Sequence, residues 1–205
     1  MLAYTSPYLW YTTRATGLVA LVLFTFVVCL GTFVSNRVGG TRVGRFELNE
    51  LHRSVSLVAM AFLVVHIVTT IVDSYVPTGW LSAVVPMTSH YERLNIALGT
   101  VAFDLMLCVW VSSLMKSHIA NSSWRFIHWF SWLAFVAAIV HSFLAGTDAR
   151  SGIGLAVVSA CAAAVFVTAI WRYVKRPARA SGRTALSPIA GSKDSATSGD
   201  AGVRR

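Results

Sequence analysis

The sequence predicts an all-α fold, an integral membrane helical bundle with five transmembrane helices. The first observation is composition: of 205 residues, 56% are hydrophobic and 12% are charged, whereas about 25% of the residues of a soluble domain are charged. The second is that the apolar residues form five long runs, in a chain with a mean hydropathy of +0.65. The third is that the basic residues stand outside these runs, mostly in the segments that connect and follow them.

Each apolar run predicts one helix, because a helix needs about 20 mostly apolar residues to cross the bilayer core. Four runs contain no charged residue, and the third contains one, Asp104. We expect Asp104 to face the interior of the bundle, since a charge that faces lipid in mid-membrane is unfavourable. The five predicted spans cover residues 15–36, 54–72, 94–115, 126–147 and 151–171.

The distribution of basic residues predicts the orientation, because short cytoplasmic loops carry an excess of Lys and Arg. Fourteen lie on the side of the first and third connecting loops and the C-terminus, and three, Arg14, Arg93 and Arg150, lie on the other side. We therefore expect a multi-pass protein of the cell membrane with its N-terminus outside and its C-terminus in the cytoplasm. The net charge of +9, spread over loops and tail, indicates contact with the lipid membrane and no nucleic acid.

The chain divides into two regions of different composition. Residues 1–175 contain every apolar run and form the predicted transmembrane domain. Residues 176–205 are rich in Ala, Ser and Gly with scattered charge. Such a segment has too little apolar surface to fold by itself, so we expect a disordered basic cytoplasmic tail.

Four histidines lie in the second and fourth predicted spans. Thirteen residues separate His52 from His66, and twelve separate His128 from His141. Both spans run from the cytoplasm outwards, so the first histidine of each lies near the cytoplasmic face and the second near the outer face. At 1.5 Å per residue the two histidines of a span are roughly 20 Å apart. This predicts two layers, each with one imidazole from each span.

Two imidazoles at the same depth on facing helices can hold the iron of one haem, which takes neutral imidazole as an axial ligand. The pattern therefore predicts two haems between helices two and four. Two axial histidines leave no open iron position, so such a haem passes electrons and does not bind oxygen at iron. Two other interpretations stay open. An intramembrane histidine can simply hydrogen-bond to a neighbouring helix, and a pathway for metal ions would use carboxylates beside the histidines. Asp104 is the one acidic residue inside a span.

One geometric feature does not follow from an ideal helix. Fourteen steps of 100° bring His66 within about 40° of His52, whereas thirteen steps leave His141 about 140° from His128. Helix bending, local 3₁₀ winding or different side-chain torsions would have to accommodate this difference.

The two histidine spacings resemble those of the ferric reductase-like transmembrane domain family. That family includes ferric reductases, NADPH oxidases and the haem-bearing membrane subunit of the periplasmic methionine sulfoxide reductase system. The segments that carry the resemblance are "HRSVSLVAMAFLVVH" and "HWFSWLAFVAAIVH", with "RATGLVAL" and "LGTVAFDL" also similar. The resemblance extends from about Arg14 to Tyr173. It implies that His52 pairs with His128, and His66 with His141, as the iron ligands of two b-type haems.

The resemblance also implies a function, transmembrane electron transfer from a cytoplasmic flavin or quinol donor to an acceptor on the outer face. The acceptor would be ferric iron, oxygen or a partner oxidoreductase. Many relatives carry a flavin and NADPH domain, but no segment here has a nucleotide-binding motif. We therefore expect the membrane haem subunit of an oxidoreductase, with no catalytic residues of its own. A separate cytoplasmic flavin reductase would supply FMN or FAD, or a quinol would replace it. The alternatives are a haem-free transporter or channel that uses the histidines, or a single-haem assembly subunit.

Three arginines are candidate contacts for the haem propionates, because guanidinium groups bind carboxylates in a bidentate manner. Arg53 directly follows His52, and Arg125 precedes His128 by three residues. Arg14 would serve the outer haem in the same way. The alternative for all three is contact with lipid headgroups.

Overall fold

Five long helices form the protein. The computed structural model describes residues 7–35, 44–73, 78–146, 150 and 152–174, so the predicted tail at 176–205 lies outside the described residues. Within them, five helices are long and apolar enough to cross a membrane. The helices are α1 (Pro7–Ser35), α2 (Arg45–Val72), α3 (Arg93–Leu114), α4 (Asn121–Ala145) and α5 (Gly152–Val174).

The five predicted spans correspond one to one to these helices, but several helices begin earlier than predicted. The first begins at Pro7 instead of residue 15, the second at Arg45 instead of 54, and the fourth at Asn121 instead of 126. A charge-free window locates the apolar part of a helix, whereas backbone hydrogen bonding continues into polar sequence. At the start of α2, for example, the Gly44 N–H donates to Glu47 Oε2 at 3.2 Å, which satisfies one of the free N-terminal donors.

The helices pack as two antiparallel pairs, α1 with α2 and α3 with α4, and α5 lies against α1. All five contribute to one apolar core. Ala59 of α2 and Ala134 of α4 are both 0% exposed. Many large apolar side chains point outwards, such as Phe26 and Phe166, which are 60% and 66% exposed. An apolar exterior of this kind suits a bundle surrounded by lipid.

The described part of the connection between α2 and α3, residues 78–92, lies against these two helices. It contains a short 3₁₀ helix, Trp80–Ala83, which contacts both α2 and α3. Hydroxyl groups fix it there: Thr100 Oγ1 donates to the carbonyl of Ser82 at 2.6 Å, and Ser82 Oγ donates to the carbonyl of Gly79 at 2.7 Å. We call residues 78–92 the α2–α3 cover.

Candidate functional site

Histidines from α2 and α4 meet in two places. The ring centroids of His52 and His128 are 6.3 Å apart, with an angle of 59° between the ring planes. His66 and His141 lie close enough to interact electrostatically. The partners expected from the sequence are therefore neighbours in space. We call the two groups the His52–His128 layer and the His66–His141 layer; the second lies at the end of the bundle that carries the α2–α3 cover.

Three of the four imidazoles are anchored by the same hydrogen bond. In each, Nδ1 contacts a backbone carbonyl of the neighbouring helix, and because a carbonyl can only accept, Nδ1 donates. The tautomer is thereby fixed with the lone pair on Nε2, which is the form that binds a metal. The three bonds run from His52 to the carbonyl of Val27 at 3.1 Å, from His66 to that of Thr13 at 2.8 Å and from His141 to that of Asn95 at 2.7 Å.

A glycine stands beside each of these three bonds, four residues after the carbonyl that accepts it. A Cβ built on Gly17 would lie 2.9 Å from Cε1 of His66, and one built on Gly99 would lie 2.8 Å from Cε1 of His141. At Gly31 the distance to Cε1 of His52 would be 3.2 Å. The missing side chains allow the imidazoles to lie directly on the backbone of α1 and α3. We call this combination of glycine, carbonyl and imidazole a glycine anchor.

Sequence reasoning missed the three glycines, although it contained a signal for them. Gly17 and Gly31 are fourteen residues apart, as are His52 and His66. Because α1 and α2 are antiparallel neighbours, the equal spacing allows the same glycine–histidine contact to form at two depths. Gly17 lies in "RATGLVAL" and Gly99 in "LGTVAFDL", two segments that resembled the family without an assigned role.

His128 lacks a glycine anchor. Its Nδ1 is buried and has no hydrogen-bond partner within the described chain. The ring of Trp124, one turn earlier on α4, stacks on it instead, with centroids 4.9 Å apart and planes at 28°. The whole of α4 is α-helical from Asn121 to Ala145, so no 3₁₀ segment absorbs the thirteen-step spacing.

The arginines expected beside the haems lie at three places around these layers. Arg14 is half-buried, and its guanidinium carbon lies 3.9 Å from the centre of the Trp10 ring. Arg53 is exposed, as is Arg125, which lines a shallow hollow beside Phe126 and Phe130. Their contacts with propionates remain predictions.

Asp104, the acidic residue in mid-span, lies on α3 and is half-buried. No hydrogen bond or ion pair holds its carboxylate among the residues that the structure describes.

The ring separation in the His52–His128 layer is compatible with a metal held between the two imidazoles. Two metal–nitrogen bonds of roughly 2 Å each, with each ring centre about 1 Å beyond its nitrogen, give a centroid separation of about 6 Å for opposed imidazoles, close to that of His52 and His128. Among the described residues, no three or more His, Cys, Asp or Glu side chains come together as a site for a free metal ion. Two histidines alone suit a metal whose other ligands come from a macrocycle, as in haem.

A comparison with protein families gives one match. A family model described as "Ferric reductase like transmembrane component" matches residues 16–139, which is more than half of the chain. The matched range includes the three anchor glycines with His52, His66 and His128, and it ends two residues before His141. No curated protein and no solved structure matches the chain.

Proposed function

The chain belongs to the ferric reductase-like transmembrane family, and from this premise we propose that it transfers electrons across the membrane through two bis-histidine b-type haems. His52 and His128 would hold one, and His66 and His141 the other. The observation that carries the proposal is the state of the histidines, which are paired across α2 and α4 with three of four fixed in the metal-binding tautomer. When bound, each haem supplies a one-electron ferric–ferrous couple.

The chain's own contribution is to hold and orient the imidazoles and to exclude water. The carbonyls of Val27, Thr13 and Asn95 fix ring orientation and increase the basicity of the ligating nitrogen. Ala59 and Ala134, which stand midway between the histidines of their helices, are 0% exposed. Their burial keeps the space between the layers apolar and dry. At 1.5 Å per residue, His52 and His66 are about 21 Å apart along α2, so the two layers together cover most of the bilayer core.

The direction of transfer follows from the proposed orientation. With the basic loops in the cytoplasm, electrons enter at the His52–His128 layer and leave at the His66–His141 layer, beneath the α2–α3 cover. Arg53 and Arg125 stand at the entry end, where they would bind the propionates of the first haem. Arg14 precedes the anchor glycine Gly17 by one turn and would bind those of the second.

The electron donor in this proposal is a separate component. A cytoplasmic flavin reductase carrying FMN or FAD, or a membrane quinol, would supply the electrons at the His52–His128 layer. The acceptor on the outer face is ferric iron, oxygen or a partner oxidoreductase. The chain then acts as the membrane haem subunit of an oxidoreductase.

Haem content tests the proposal. Protein purified from membranes should contain two b-type haems per chain, measured as pyridine haemochrome against protein concentration on one sample. His52→Ala and His128→Ala should remove the same low-spin ferric signal in electron paramagnetic resonance, and His66→Ala and His141→Ala the other. A folded, colourless protein would refute the proposal in favour of a haem-free transporter or channel, and one haem per chain would favour an assembly subunit.

A further inference from the structure

The backbone carbonyl at the position that would anchor His128 accepts hydrogen bonds from two serine hydroxyls. The residue of α3 fourteen positions after Gly99 is Ser113 rather than a glycine, and the carbonyl four residues before it belongs to Val109. That carbonyl accepts hydrogen bonds from Ser112 Oγ at 2.9 Å and from Ser113 Oγ at 2.8 Å. No hydrogen bond joins Nδ1 of His128 to this carbonyl or to another acceptor among the described residues. His128 therefore has neither a glycine beside it nor a hydrogen bond from Nδ1 to a backbone acceptor among the described residues.

Trp124 lies beside His128, and two contacts hold its ring in place. Its indole Nε1 donates to Ser113 Oγ at 3.4 Å, and the Lys116 ammonium lies 4.2 Å from the ring centre, a favourable cation–π contact. Its face then covers the imidazole of His128. Ser113 thus donates to the Val109 carbonyl and accepts the indole N–H that orients Trp124.

We propose that Trp124 positions His128 by stacking, in place of a glycine anchor, and that His128 is the axial ligand that leaves iron most readily. The His52–His128 layer is then where a small neutral ligand reaches the metal. This inference rests on the proposed function. Its physical reason is that Nδ1 must carry a proton when Nε2 binds iron, and a buried donor without an acceptor is unfavourable. His128 can leave without breaking a hydrogen bond at Nδ1, whereas the other three histidines must break one.

Carbon monoxide is the probe, because it competes with the histidine for the sixth position of reduced haem. As its concentration rises, it should bind first to the haem whose ferric signal His128→Ala removes. Trp124→Leu should raise the apparent affinity for carbon monoxide by about tenfold to a hundredfold, the usual effect of losing an outer-shell partner of a metal-ligating histidine. The same ferric signal should change from low-spin to high-spin.

Two matched variants separate positioning from packing. Trp124→Phe keeps an aromatic face and should keep the wild-type affinity. Trp129→Leu removes a tryptophan of the same helix that is 68% exposed, and it should change neither haem. First binding of carbon monoxide at the His66–His141 layer in the wild-type protein would overturn the inference, even if Trp124→Leu does not fold. So would two unchanged haems in a folded Trp124→Leu variant. Wild-type protein without haem would overturn the proposed function as well.

Discussion

At the scale of single residues, the glycine anchor shows how a helix backbone can hold and orient an imidazole. The glycine is needed because its neighbour is an imidazole at van der Waals distance, not because of its backbone angles. The carbonyl one turn earlier then points at Nδ1 and selects the tautomer. His52, His66 and His141 share this arrangement, and His128 replaces it with an aromatic ring.

The anchor predicts a graded response to adding one methyl group. Gly17→Ala and Gly99→Ala would each place a Cβ less than 3.0 Å from an imidazole of the His66–His141 layer, and we expect about tenfold to a hundredfold weaker haem binding there. Gly31→Ala, where the distance is 3.2 Å, should weaken the His52–His128 haem less. Haem content and the two ferric signals measure this. Equal retention of both haems in all three variants would contradict the anchor.

Sequence reasoning at this scale identified residue types but not their surroundings. The histidine spacings predicted the two layers, because helical rise converts spacing into depth. The spacing could not show that Gly17 faces His66, since that depends on how α1 packs on α2. Nor could it show that Nδ1 of His128 has no hydrogen-bond partner among the described residues.

At the scale of helices, α2 and α4 each have two structural roles, which fall on different residues. Each helix must carry a histidine at two depths, and each must pack tightly between them. Ala59 lies midway between His52 and His66, and Ala134 lies midway between His128 and His141. Both are 0% exposed and belong to the apolar core, so the two helices are tightly packed midway between the histidine layers.

This packing predicts that a larger side chain in place of Ala59 destabilises the bundle without removing a histidine. Ala59→Leu adds three carbon atoms to a filled core, and overpacking of this kind costs about 1–3 kcal/mol. Ala61→Leu, at an exposed position of the same helix, is the control and should be neutral. Thermal loss of the haem absorption would be followed for both variants. A midpoint variant as stable as the control would show that the space between the layers is not tightly packed.

Helix number and centre were predictable from the sequence, and helix ends were not. The centres follow from hydropathy, which measures what the bilayer core accepts. The N-terminal ends depend on local hydrogen bonds such as that between Gly44 and Glu47. Charge-free windows take no account of such bonds, so the prediction placed the start of α2 nine residues too late.

At the scale of the whole molecule, the ends of the bundle differ in charge. Arg53, Lys116 and Arg125 are exposed at the end near the His52–His128 layer. Arg172 reaches from the end of α5 to Ser35 at the end of α1, with Nη1 2.7 Å from Oγ, so the C-terminal ends of these two helices lie on one side. This is the side on which the basic first and third connecting loops lie. With five spans, the end of α1 and the end of α5 must share that side. The direction of the bundle in the membrane is a prediction from the distribution of basic residues.

The orientation predicts which end is reached from outside the cell. In a variant without its native cysteines, Ser117→Cys, in the exposed turn between α3 and α4, should react with an impermeant maleimide only after the cells are opened. Val84→Cys, in the α2–α3 cover and 62% exposed as valine, should react in intact cells. The two positions flank the same helix, α3, so one orientation requires opposite results for them. Labelling of Ser117→Cys alone in intact cells would reverse the topology, and electrons would then enter through the His66–His141 layer.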